Sequence, residues 1–223
     1  MIRAVVFDLD GVLVDSEHVW DAAREDLARE RGGRWHAGAQ RDMMGMSSPE
    51  WSRYMHETIG LPESPEEISA EVVRRLEAIY REHLPLLDGA AEAVARLAAR
   101  WPLGVASSSN RPLIDLVLEL SGLARFFSAT VSSEEVERGK PAPDVYAEAG
   151  ERLGVEQVAC AAVEDSHNGI LSGKAAGMRV IAIPNRRYPP GAEALAAADE
   201  VLDSITKLTP ERIEPDRDTS SRR

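Results

Sequence analysis

Cysteine is nearly absent. Cys160 is the only one, so no disulfide can form within the chain, and no Cys/His cluster has zinc-ligand spacing. Positive charge is also scarce: 26 Lys and Arg stand against 38 Asp and Glu, a formal net charge of −12. A protein that binds nucleic acid by neutralising its backbone needs the opposite surplus. No uninterrupted apolar run reaches the roughly 18 residues of a membrane-crossing helix. The opening MIRAVVFDLD carries two aspartates where a signal peptide would need its apolar stretch to continue. These absences lead us to expect a protein of the reducing cytoplasm with no nucleic-acid or membrane partner. Lysine is the rarer basic residue, present only as Lys140, Lys174 and Lys207, so each of its positions is informative.

What is present suffices for a real core. Hydrophobic residues make up 43% of 223 and charged residues 29%, a globular composition. At roughly 150 residues per domain, the length suits one compact domain carrying an insertion. Short apolar, β-branched runs at Ile2–Asp8, Leu103–Ser107, Ala129–Ser132, Val158–Glu164, Val180–Pro184 and Glu200–Leu202 predict strands buried on both faces. Helical patterns lie between them at Ala90–Ala99, Leu113–Leu120, Pro143–Leu153 and Asn168–Ala176. Strand alternating with helix predicts an α/β fold with a doubly wound parallel sheet.

The first connection is different, because nearly everything in it reads as helix. Ser16–Arg31 carries Trp20, Ala23 and Leu27 on one face, and Ser48–Ile59 opens with Ser48 as a cap and Pro49 in the first turn. A third helix begins with the capping box of Ser64, Pro65 and Glu67, followed by Ile68, Val72, Leu76, Ile79 and His83 at helical spacing. The expected division is a core of residues 1–16 and 85–210, an inserted α-helical cap of 17–84, and a flexible tail of 211–223. A monomer is the default for such a unit.

Chemistry-bearing residues cluster at strand ends. Asp8 and Asp10 follow the first strand in Asp8-Leu9-Asp10-Gly11-Val12-Leu13-Val14-Asp15-Ser16, at the edge where open α/β sheets bind ligands. A helix-capping Asp-Gly turn would account for that segment alone. It does not account for Ser107-Ser108-Ser109-Asn110 after the second strand, Gly139-Lys140-Pro141 after the third and Glu164-Asp165-Ser166 after the fourth. The set resembles the haloacid dehalogenase superfamily, in the subfamily with a helical cap and a Rossmann-like core. It is most similar to the β-phosphoglucomutase and sugar-phosphatase branch, through Asp15-Ser16-Glu17 and Val163–Ile170.

The resemblance implies a Mg²⁺-dependent phosphatase acting on a small phosphate ester, a sugar or polyol phosphate, through an aspartyl phosphate. Asp8 would be the nucleophile and Asp10 the acid/base. Asp8, the Asp10 carbonyl and Asp165 would hold the metal, with Glu164 beside them or acting through water. Ser107 and Ser108 would bind phosphoryl oxygens, and Lys140 would offset their charge. Glu17, Gly45 and Ser47 are the expected cap contacts to substrate; Trp20 reads as cap core. Dehalogenases of the superfamily lack the second aspartate, so Asp10 argues against that chemistry.

Two other readings stay open. One is a β-phosphoglucomutase-like phosphotransferase, which needs a cationic grip on a second phosphate; where that branch has a cap His and Arg, this chain has Trp20 and Ser48. The other is a non-catalytic phosphoacceptor module of the receiver type, which has neither a cap nor an acid/base aspartate two residues beyond the acceptor.

Overall fold

The computed structural model describes residues 1–43 and 46–215. Strands β1 (Ala4–Phe7), β2 (Leu103–Ser107), β3 (Phe127–Ser132), β4 (Cys160–Glu164), β5 (Arg179–Ala182) and β6 (Glu200–Val201) form one parallel sheet in the order β3-β2-β1-β4-β5-β6. The first connection holds α1 (Glu17–Glu30), α2 (Ala39–Met43), α3 (Ser48–Tyr54), α4 (Pro65–Glu82) and α5 (Ala90–Ala98). The later connections hold α6 (Arg111–Leu120), α7 (Asp144–Arg152), α8 (His167–Ala175) and α9 (Ala192–Ala197), with α10 (Pro210–Ile213) after the last strand.

β1, β2 and β4 are buried along their whole length and β5 nearly so, whereas the edge strands depart from the expected two-sided burial: β3 starts half-exposed, and in β6 Val201 is exposed because no further strand covers it. Along β1, Val5 and Phe7 pack against α5 and α6, while Ala4 and Val6 pack against α7 and α8. Helices on both faces make the sheet doubly wound. The chain lays β2 and β3 on one side of β1 and then returns to place β4 on the other, so the crevice at the carboxyl ends of β1 and β4 is the switch point where such sheets bind ligands. Cys160, buried at the start of β4, has its thiol pushed up to about 11 by burial, as suits an inert packing residue.

Residues 17–84 leave and rejoin the sheet through adjacent backbone. Val14 and Leu86 form an antiparallel bridge, Asp15 N donates to Pro85 O at 2.8 Å, and Leu87 N donates to Leu13 O at 2.9 Å. α4 forms where its capping box predicts: Ser64 N donates to Glu67 Oε2 at 2.9 Å and Glu67 N to Ser64 Oγ at 3.3 Å. Its buried stripe is Ile68, Val72, Leu76 and Tyr80, each contributing roughly 2 kcal/mol. This corrects the expected ending of that stripe. Ile79 is 37% exposed, and His83 is exposed where the backbone turns extended and the helix stops.

α3 also departs by one residue from expectation, because Ser47, not Ser48, is its cap. Ser47 N and Oγ both donate to Glu50 Oε2, at 2.7 and 2.6 Å. Cap and sheet share one apolar cluster, in which Trp51, Met55 and Leu76 of the cap join Phe7 and Leu113. At the other end of the chain, the stretch read as a tail starts packed: Ile213 is buried and Ile2 N donates to Glu214 Oε1 at 2.8 Å. Residues 216–223 lie outside the described residues. Among the described residues no helix is long and apolar enough to cross a membrane.

Candidate active site

Three strand ends bring their side chains together in the crevice. Asp8 extends β1, its N donating to Val163 O at 2.9 Å. Lys140, from the loop after β3, donates from Nζ to Asp8 Oδ1 at 2.6 Å and to Glu164 Oε1 at 2.5 Å. All three are buried. Burial works against the charge on Lys140, but Asp8 and Glu164 hold it above the ordinary lysine range, so it stays a cation.

Glu164 is saturated. Oε1 also accepts from Tyr146 OH at 3.0 Å, and Oε2 accepts from Asp165 N, Ser166 N and Ser166 Oγ at 2.9, 3.1 and 3.0 Å. A carboxylate offers about four lone-pair sites, so these five donors leave Glu164 to anchor Lys140 and shape the turn into α8. Only glycine tolerates this arrangement at position 169, because a Cβ there would lie 1.8 Å from Glu164 Oε1. Gly169→Ala is therefore expected to dislodge a buried, charge-paired carboxylate and to cost about 3 kcal/mol. Thermal unfolding should show a Tm lower by roughly 6–12 °C.

Asp8, Glu164 and Asp165 each offer an oxygen within 4.8 Å of the others. Asp165 accepts one side-chain hydrogen bond among the described residues, from Asn185 Nδ2 at 3.2 Å. Gly11, at φ +85°, lets the backbone after Asp10 press against it; a Cβ at Gly11 would sit 2.0 Å from Asp165 Oδ2. With Glu164 saturated, it is Asp8 and Asp165 that keep spare lone pairs, and their hard oxygen donors fit a divalent cation. Burial pushes Asp8 and Asp165 well above the carboxylate range; Lys140 opposes this for Asp8, and neighbouring carboxylates reinforce it for both. A bound cation reverses that tendency.

The Asp10 carboxylate supplies none of these three oxygens, although its charge still reaches Asp8. Its Oδ1 accepts from Ser16 Oγ at 2.5 Å and Trp20 Nε1 at 3.2 Å, and its Oδ2 from Ser109 Oγ at 2.5 Å and Ser107 Oγ at 3.5 Å. Ser107 lies fully buried below the cleft, accepting from Ser109 N at 3.0 Å. Ser108 lines the cleft, and among the described residues its hydroxyl has no hydrogen-bond partner. Trp20, read from sequence as cap core, thus reaches the site directly, together with Ser16 and Ser109. The available signal was spacing: Ser16, Trp20 and Arg24 fall four residues apart along α1.

The cap forms the far wall of a cleft of about 70 Å³ that Asp8, Lys140 and Asp165 line from below. Glu17 is on that wall, accepts from Gln40 Nε2 at 3.2 Å, and is pushed up to about 7 by burial and then by Asp10. Arg24, Gln40 and Trp51 join it and had not been singled out from sequence as contacts. Ser47 is buried against Gly139, with its hydroxyl given to Glu50. Gly45 lies outside the described residues.

The family model of haloacid dehalogenase-like hydrolases matches residues 2–177. Hexitol phosphatase B of Escherichia coli (strain K12) is 36% identical over 217 residues, covering 93% of this chain and 95% of its own. Fructose-1-phosphate phosphatase YqaB of the same strain is 31% identical over 188 residues, covering 79% of this chain and 94% of its own. Among solved structures, CbbY from Rhodobacter sphaeroides in complex with phosphate superimposes with a TM-score of 0.83 at 28% identity, covering 93% of this chain and 96% of that one. A mutant of the same protein in complex with xylulose-(1,5)bisphosphate superimposes with a TM-score of 0.82 at 27% identity, with the same coverage.

Proposed function

The chain belongs to the haloacid dehalogenase-like hydrolase family, and on that footing we propose that it is a Mg²⁺-dependent phosphatase of small sugar or polyol phosphates. The observation that carries this reading is Asp8, ion-paired to Lys140 and facing Asp165 at the switch point. The sugar and polyol phosphatases among its relatives support the substrate class.

Asp8 attacks phosphorus in line, forming an aspartyl phosphate as the alcohol leaves. Asp10 gives that alcohol its proton, then takes one from the water that cleaves the intermediate to inorganic phosphate. Ser16, Trp20 and Ser109 position the Asp10 carboxylate, and the open Ser108 hydroxyl donates to a phosphoryl oxygen. Lys140 orients Asp8 and offsets the phosphoryl charge. Asp8, Asp165 and the Asp10 carbonyl would hold Mg²⁺, which when bound neutralises phosphoryl charge as a Lewis acid. Residues 17–84 act as a lid over the core of 1–16 and 85–210. A cleft of about 70 Å³ is far smaller than the few hundred Å³ of a typical small-molecule pocket, so substrate enters as the lid swings on 14–16 and 84–87.

Purified protein with Mg²⁺ should release phosphate from p-nitrophenyl phosphate and from members of a sugar- and polyol-phosphate panel. EDTA should stop the release and added Mg²⁺ restore it. No release from any ester would sink the reading. The phosphotransferase alternative gains one observation, a buried cap cation in Arg24; interconversion of β-glucose 1-phosphate and glucose 6-phosphate faster than hydrolysis of either would establish it.

Glu17, as a substrate contact, should trade stability for binding. Its carboxyl is raised from 4.5 to about 7, so between those pH values the folded chain holds a proton that the unfolded chain has released, and rising pH destabilises the fold. Glu17→Gln should unfold like the parent below about pH 4.5 and become the more stable of the two by up to about 3 kcal/mol above pH 7. The difference between their Tm curves across pH checks this, and KM should rise in the same variant.

A further inference from the structure

Arg24 is 6% exposed and lies on the cleft wall. Its guanidinium carbon stands 4.5 Å from the centroid of the Trp20 ring and 4.7 Å from that of Trp51, and the two rings meet edge to face at 5.9 Å. Among the described residues its Nε has no hydrogen-bond partner, and the guanidinium makes neither a hydrogen bond nor an ion pair. Burial draws it down to about 10, overcoming the opposing pull of Glu17, Asp10 and Asp21, so it is still charged at neutral pH. Beside it, Gln40 Oε1 is likewise buried without a partner.

A buried charge with unfilled donors is unfavourable until something compensates it. The aromatic faces of Trp20 and Trp51 supply part of that and also fix the plane of the guanidinium. Held this way, the donor fork is arranged in advance for a bidentate oxyanion. A neutral hydroxyl would fill one donor and leave the charge uncompensated. Three cap helices contribute to this feature: α1 through Trp20 and Arg24, α2 through Gln40 and α3 through Trp51.

We infer that Arg24 reads a second anionic group of the substrate, a phosphate or carboxylate at the end of the carbon chain remote from the phosphoryl group that Asp8 attacks. The inference rests on the phosphatase reading and narrows it to doubly anionic esters. It also supplies the cationic grip that the sequence lacks at Trp20 and Ser48.

The test compares glucitol 6-phosphate, whose far end is neutral, with fructose 1,6-bisphosphate and 6-phosphogluconate, in the parent and in Arg24→Gln. The parent should favour at least one doubly anionic ester by tenfold or more in kcat/KM, and which one distinguishes phosphate from carboxylate. Arg24→Gln should raise KM for that ester 10- to 100-fold and cut the ratio of its kcat/KM to that of glucitol 6-phosphate by tenfold or more. A parent that prefers glucitol 6-phosphate, or a variant that slows all three equally, overturns the inference. Tryptophan fluorescence titration of Asp8→Asn with the same three esters needs neither turnover nor a folded Arg24 variant. At least tenfold tighter binding of a doubly anionic ester supports the subsite, and equal affinity overturns it. Absence of hydrolysis of every ester defeats the phosphatase reading alone.

Discussion

Replacing Asp8 by asparagine is expected to lower kcat for phosphate release by about 10⁴-fold or more while leaving the fold intact. The amide keeps the shape of the carboxylate but cannot form the acyl phosphate, and no other carboxylate takes its place. Glu164 is saturated by five donors, and Asp10 is tied to Ser16, Trp20 and Ser109. Stability should not fall. Burial and the neighbouring Glu164 and Asp10 carboxylates already make the Asp8 charge unfavourable, and Lys140 keeps Glu164 as its partner. Steady-state phosphate release and a thermal melt of the same sample check both halves. Residual activity within tenfold of the parent would remove Asp8 from the role of nucleophile.

Lys140→Met should damage stability and activity together. The thioether side chain fills much of the lysine's volume but leaves Asp8 and Glu164, both buried, with no cation between them. Breaking a buried ion pair from one side typically costs about 3–5 kcal/mol, or roughly 6–20 °C in Tm for a chain of this size. The sign with pH follows from linkage: burial already raises Asp8 and Lys140 is what opposes it, so without Lys140 the Asp8 carboxyl binds its proton more readily folded than unfolded, and the deficit should grow as pH rises and shrink toward pH 5. Combining Lys140→Met with Asp8→Asn removes one of the stranded charges and should recover part of the Tm. A deficit independent of pH would show that packing, not charge, was lost.

The sheet and most of the site were legible because their signals are local. The strands are short runs, and the segments holding Asp8, Ser108 and Asp165 follow theirs directly, while Lys140 comes only after a further turn beyond β3. The α4 start was readable for the same reason, since the Ser64 and Glu67 side chains bond within a single turn of chain. Lys140 stood out through the scarcity of lysine. Errors arose where a one-residue shift or a helix end mattered: Ser47 displaced Ser48 as a cap because its N–H and hydroxyl both reach Glu50, and His83 left the stripe because α4 ends before it. Trp20 is buried in the core, as its spacing says, yet its indole N–H also bonds Asp10, a contact no local pattern encodes.

By itself, then, the sequence determined the alternation of strand and helix, the helical insertion and the four segments that meet in the crevice, since periodicity, capping and turn chemistry act over a few residues. Only the tertiary structure decided which carboxylates are free for chemistry and which is consumed in anchoring Lys140. It alone decided that Arg24 is buried between two indoles with its donors unfilled. The reason is distance along the chain: Lys140 meets Asp8 across 132 positions, and Arg24 of α1 meets Trp51 of α3 with all of α2 between them in sequence. Charge compensation in a crevice depends on those long-range pairings, and they exist only once the sheet has closed and the cap has settled on it.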